Sequence, residues 1–144
     1  MPRRGARPTQ PRRVDYWTLA QLRYHIRRFL RTREIAARAA GIEPQHYLVL
    51  LQLKGLTGKR AATMGTLAER LQLRHHSTVE LVDRLVSRGM VRRRRDTRDR
   101  REIVVELRPA GEAVLTKLAL QSLRELRTEG PALVRILNRL ISHR

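Results

Sequence analysis

The chain contains no cysteine. That excludes disulfide bridges, thiolate nucleophiles, thiol redox sensing and cysteine-bound zinc. Aromatic residues make up only 3% of the 144 positions, so a core must be built from Leu, Val, Ile and Ala. Acids are scarce too: 13 Asp and Glu stand against 32 Lys and Arg, a formal net charge of +19. No apolar run approaches the ~18 residues that suggest a membrane-spanning helix. The N-terminal MPRRGARPTQPRR is basic but has no apolar stretch behind it, so it does not read as a secretory signal. A soluble cytoplasmic protein is expected. There is no Gly-rich phosphate loop after a strand and no nucleophile–base–acid set. The G-K pair in GLTGKRAAT lacks P-loop spacing. These absences predict a protein that is not an enzyme and needs no cofactor or metal.

The length fits one domain, and 41% hydrophobic content is ordinary for a globular one. The charge surplus opposes compaction unless a polyanion balances it. Nucleic acid is the first candidate and an anionic membrane surface the second. Nearly all the positive charge is arginine, with lysine only at Lys54, Lys59 and Lys117. Guanidinium forks suit phosphates and guanine edges, although codon bias in a GC-rich genome produces the same preference.

Residues 1–14, rich in Pro, Arg and Gly, read as a disordered basic arm and 15–144 as a single domain. From Tyr16, Leu19, Leu22, Ile26, Phe29 and Leu30 recur at helical spacing. Asp15 is the expected N-cap, and the helix should end near Ala40, before Gly41. A second helix is expected from Pro44 to about Gly55, apolar almost all round and therefore buried. A loop, GLTGKRAATMG, and a short helix, TLAERLQL, follow. After a tight turn comes HHSTVELVDRLVSRG, with Val79, Val82, Leu85 and Val86 as its inner face. Strands are expected near Met90–Arg94 and over EIVVEL. Pro109 should open a helix reaching about Thr128, broken by Gly130-Pro131 before a last amphipathic helix.

This order is a helix-turn-helix followed by a β-wing, in a mainly α fold. The second helix of such a unit presents its first residues to base edges. Here those are Arg74, His75, His76, Ser77 and Thr78, all polar, with Arg84 two turns on. A helix start needs one cap, not Arg-His-His as well. His75 and His76 are adjacent, so their side chains point ~100° apart and do not readily chelate one metal ion. The wing, RRRRDTRDRREIVVEL, packs seven arginines around two aspartates. A hairpin tip can reach a minor groove, where negative potential is focused and arginine fits. Asp96 and Asp99 are expected to orient nearby guanidinium groups. Half of Arg92–Arg95 is expected to meet phosphate, the rest to face solvent or pair with carboxylates.

From Leu67 to Leu115 the chain resembles the MarR family of winged-helix transcription regulators. LVDRL followed by RGMV resembles the family's recognition helix and its exit into the wing, and DTRDRR its D-x-R-D-x-R wing pattern. The resemblance extends over residues 16–143. It implies a homodimer held by helices at about 16–40 and 109–143. Two winged helices, at about 44–108, would straddle a pseudo-palindromic operator in double-stranded DNA. It further implies Arg101 in the minor groove, Asp99 as its orienting partner, Arg98 as a second wing contact and Asp96 as a brace. Arg100 is a further wing candidate. The family commonly has Leu-Thr before the next helix, where Thr caps it; here Leu107-Arg108-Pro109 leaves that start without a side-chain acceptor.

The expected function is a dimeric, sequence-specific DNA-binding regulator, a repressor released by a small-molecule effector. The alternatives are a non-specific or architectural nucleic-acid binder, and a membrane-surface or acidic-protein adaptor. Against the adaptor stands the lack of an exposed amphipathic helix with a bulky aromatic anchor.

Overall fold

A computed structural model of the chain describes residues 13–142. Most of the expected arm, residues 1–12, and His143 lie outside the described residues. The elements run α1 (Tyr16–Ala39), α2 (Pro44–Leu56), α3 (Met64–Leu71), α4 (His75–Ser87), β1 (Val91–Arg95), β2 (Ile103–Leu107) and α5 (Pro109–Ser142).

The helix boundaries follow from local chemistry. Asp15 caps α1: Oδ1 accepts the Thr18 N–H at 3.0 Å and Oδ2 the Thr18 hydroxyl at 2.6 Å. The helix ends before Gly41, whose φ of +79° suits glycine. Pro44 opens α2 at a position whose N–H would have no partner anyway. The expectation that α2 is buried all round is corrected: Leu48 and Leu51 are 45% and 38% exposed, on a side that borders a cleft against α1 and α5. Helix α3 starts two residues earlier than TLAERLQL suggested, because the Thr63 hydroxyl accepts the Thr66 N–H at 3.1 Å.

The wing strands pair antiparallel from Val91↔Leu107 to Arg95↔Ile103. The other edge of β2 is also engaged: Thr63 bridges Val104, and Val105 donates to the Ala62 carbonyl at 2.9 Å. The loop before α3 thus contributes a third edge that its composition did not announce. Leu50, Leu53, Leu67, Val82, Leu85, Val91, Val105 and Leu115 meet in one core, so the hairpin is anchored by burial and not by its turn alone.

Helix α5 is continuous from Pro109 to Ser142, and the break expected at Gly130-Pro131 does not occur. Pro131 forfeits one backbone hydrogen bond, at a cost of roughly 3 kcal/mol inside a helix. Ion pairs to the first helix and its cap flank it on both sides. Arg33–Glu125 and Arg28–Glu129 tie α5 to α1 before the proline, and Arg139–Asp15 ties them beyond it at 3.3 Å. The uncapped start at Arg108 is held by backbone: its N–H donates to the Met90 carbonyl at 2.9 Å, and its carbonyl accepts the Glu112 N–H at 3.0 Å. Glu112 also adds negative charge to the first turn, as the helix dipole favours.

Two positions yield tests of this packing. A Cβ on Gly111 would lie 2.3 Å from the Met90 carbonyl oxygen. Gly111→Ala should therefore destabilise by about 1–3 kcal/mol through overpacking, despite the better helix propensity of Ala; an unchanged melting temperature would show that α5 does not press on the Met90 backbone. His46, in the first turn of α2, is 5% exposed and its Nδ1 has no partner among the described residues. Burial, then Arg88 just past α4 and Arg84 within it, hold its pKa below the ordinary 6.5, with Glu43 opposing. The depressed folded pKa makes the unfolded chain bind more protons. The stability from neutral His46 is complete above pH 6.5 and is lost as pH falls towards the lowered value. Between pH 7.5 and 5.5 the melting temperature should drop further for the native chain than for His46→Gln; parallel drops would count against it.

Candidate nucleic-acid interface

The turn between α3 and α4 is short because Gln72 takes a left-handed conformation, φ 55°, and closes the end of α3 with its backbone N–H. Its side chain adds a 2.9 Å bond to the Glu69 carbonyl. Arg74 then occupies the N-cap of α4 without any side-chain cap. The first turn of α4 therefore keeps backbone N–H groups uncovered by a capping side chain, at the positive end of its dipole.

Arg74, His75, His76 and Arg84 are exposed, and Ser77 is half-buried. Thr78 is a correction. It is wholly buried, and its hydroxyl donates to the Arg74 carbonyl at 3.0 Å. Helical geometry puts it with Leu81, Val82 and Leu85 on the core side. The inner face is thus Thr78, Leu81, Val82 and Leu85, while Val79 is half-buried and Val86 lies at the exposed margin. Opposite them, His76, Glu80, Asp83 and Ser87 form one exposed stripe, with Arg84 on its flank.

The strand arginines turn inward on the protein's own acids. Arg92 and Arg94 both hold the Glu106 carboxylate across the hairpin, and Arg93 reaches Asp83 of α4. Two residues apart on β1, Arg92 and Arg94 share a face, and the register sets Arg92 opposite Glu106. The Glu106 carboxyl is held below its ordinary 4.5, chiefly by the hydrogen bond from Arg94 and further by Arg92, with burial opposing. Arg95 donates to the Arg100 carbonyl at 3.0 Å. Strand periodicity in the sequence signalled the two faces, but not which acids would face them.

The loop joining the strands carries Arg98, Arg100 and Arg101, all exposed, and none of their guanidinium groups has a carboxylate partner among the described residues. Asp96 and Asp99 do not orient guanidinium groups as expected. Asp96 accepts the Arg98 backbone N–H at 3.3 Å, and Asp99 that of Arg101 at 3.0 Å. A carboxylate two residues before an N–H closes such a turn while ordering little side chain. The aspartates therefore shape the loop backbone and leave its arginines free. Among the described residues, no three His, Asp or Glu side chains are placed to hold a metal ion, and no helix is long and apolar enough to cross a membrane.

Away from the wing, α1, α2 and α5 enclose a cleft of about 560 Å³ lined by Phe29, Leu30, Leu48, Leu51, Leu123 and Leu126. Arg33 reaches it, held by Glu125 and by Ser122 Oγ at 3.2 Å, and its Nε is buried without a partner among the described residues. Large apolar side chains on α1 and α5 remain in water: Trp17 is 70% exposed, Ile35 54%, Val134 56% and Ile141 73%.

No curated protein sequence matches the chain. The MarR family model matches residues 40–102. Among solved structures, a mutant of S. aureus MepR is similar at TM-score 0.71 and 16% identity, covering 90% of this chain and 98% of that one. Apo MarR from E. coli is similar at 0.67 and 19%, covering 90% and 98%. AbsC from Streptomyces coelicolor, titled a MarR family transcriptional regulator, is similar at 0.68 and 20%, covering 90% and 92%. Residues 40–102, the helix-turn-helix and most of its wing, thus match the MarR family model, and the described chain carries the winged helix-turn-helix fold of those solved structures.

Proposed function

We propose that the protein is a homodimeric, sequence-specific DNA-binding transcription regulator, acting in the cytoplasm as a repressor released by a small-molecule effector. One observation carries the DNA-binding part. An exposed polar face of α4 lies in the same winged-helix unit as a loop whose three arginines have no carboxylate partner among the described residues. Helix α4 enters the major groove with Arg74, His75, His76 and Ser77 leading, and Arg84 meets phosphate or groove edge. Arg101 enters the adjacent minor groove and Arg98 and Arg100 contact the backbone, on a loop held in shape by Asp96 and Asp99. A structure of a similar MepR mutant is titled as bound to an oligodeoxyribonucleotide, which supports this use of the fold.

Dimerisation answers the exposed apolar surface of α1 and α5, which a second copy would cover. The effector would enter the apolar cleft between α1, α2 and α5, with Arg33 supplying the polar contact. It would act by binding one spacing of the two recognition helices better than the other.

Purified protein offered random duplexes at physiological salt should recover an inverted repeat with half-sites about one helical turn apart. Unbiased recovery with a steep salt dependence would instead indicate an architectural binder. Arg101→Ala should weaken binding to the selected duplex by roughly tenfold or more while sedimentation still reports a dimer. Unchanged affinity and salt slope would remove Arg101 from the interface.

A further inference from the structure

The exposed stripe of α4 is acidic at its centre, in a chain of net charge +19. Of the two carboxylates there, Asp83 is held by Arg93. Glu80 is exposed, and no side chain or backbone group among the described residues partners it. It stands one turn beyond His76 and one turn before Arg84, within the half of the helix that reaches base edges. A carboxylate there repels phosphate, so it does not serve affinity, and without an intramolecular contact it does not brace the fold.

We infer that Glu80 is a specificity-determining residue that accepts a hydrogen bond from an exocyclic base amino group in the major groove, cytosine N4 or adenine N6. This rests on α4 being the groove-reading helix, as proposed above. Ionised Glu is acceptor-only. In the major groove only cytosine and adenine present an amino donor, whereas guanine presents acceptors and thymine an acceptor beside a methyl group. Glu80 would therefore admit C or A at one position of each half-site and reject G and T, through unpaired acceptors facing one another. Its negative charge would also lower affinity for every other sequence, widening the ratio between operator and bulk DNA.

The test is the duplex selection run in parallel with the native chain, Glu80→Ala and Glu80→Gln, each checked for an unchanged melting temperature. The native motif should contain one position per half-site restricted to C or to A. In Glu80→Ala that restriction should flatten by roughly tenfold while the other positions persist, and affinity for unrelated duplexes should rise. Glu80→Gln separates the two bases: its amide pairs with adenine N6 and N7, so a native C should shift to A and a native A should be retained. If Glu80→Ala returns the native motif at every position, Glu80 is a solvated side chain and the inference fails while the groove-reading role of α4 stands. If the native chain itself returns no motif, both fail together.

Discussion

Burial of Thr78, Leu81, Val82 and Leu85 sets the rotation of α4 about its own axis, and the rest of the interface depends on that angle. With those four residues against the core, His76, Glu80, Asp83 and Ser87 face outward. The same rotation brings Asp83 within reach of Arg93, so the helix and the wing are joined by an ion pair as well as by Val91 and Val105 in the shared core. That pair is partly exposed, and pairs of that kind contribute at most about 1 kcal/mol. The hydrophobic contacts stabilise the unit, and the ion pair adds orientation.

Scarcity of acid sorts the arginines into two populations. Glu106 and Asp83 take up Arg92, Arg93 and Arg94 at the base of the hairpin. Asp96 and Asp99 accept backbone N–H groups and hold no guanidinium group among the described residues. Arg92, Arg93 and Arg94 are therefore held by carboxylates, while the guanidinium groups of Arg98, Arg100 and Arg101 are held by none among the described residues and can turn to a phosphate backbone. A uniform distribution of the same residues would bind polyanions without presenting a directed edge.

Much of this was legible in the residues themselves. Asp15, Gly41 and Pro44 mark helix ends by mechanisms that act within a few residues, and the strand boundaries differ from expectation by only one. What escaped depended on partners far away in sequence. The ion pairs that flank Pro131 in α5 come from the far end of the sequence, in α1 and its cap. The inward turn of Thr78 depends on the core that receives it, because a polar residue can be buried once its hydroxyl finds the Arg74 carbonyl. Charge pairing pointed Asp96 and Asp99 at guanidinium groups, while the nearer backbone N–H was the easier donor to reach. Glu80 was visible in the sequence, but its isolation became informative only when Asp83 was seen to be engaged.

Helix α5 makes the protein a lever. At 1.5 Å per residue its 34 residues span about 51 Å. It runs from the Met90 carbonyl beneath the wing to Arg139 beside the start of α1. Pro131 leaves the helix one backbone bond short about 33 Å along the rod from Pro109. A bend of roughly 10° there would sweep the wing end through about 6 Å, comparable to the width of a minor groove.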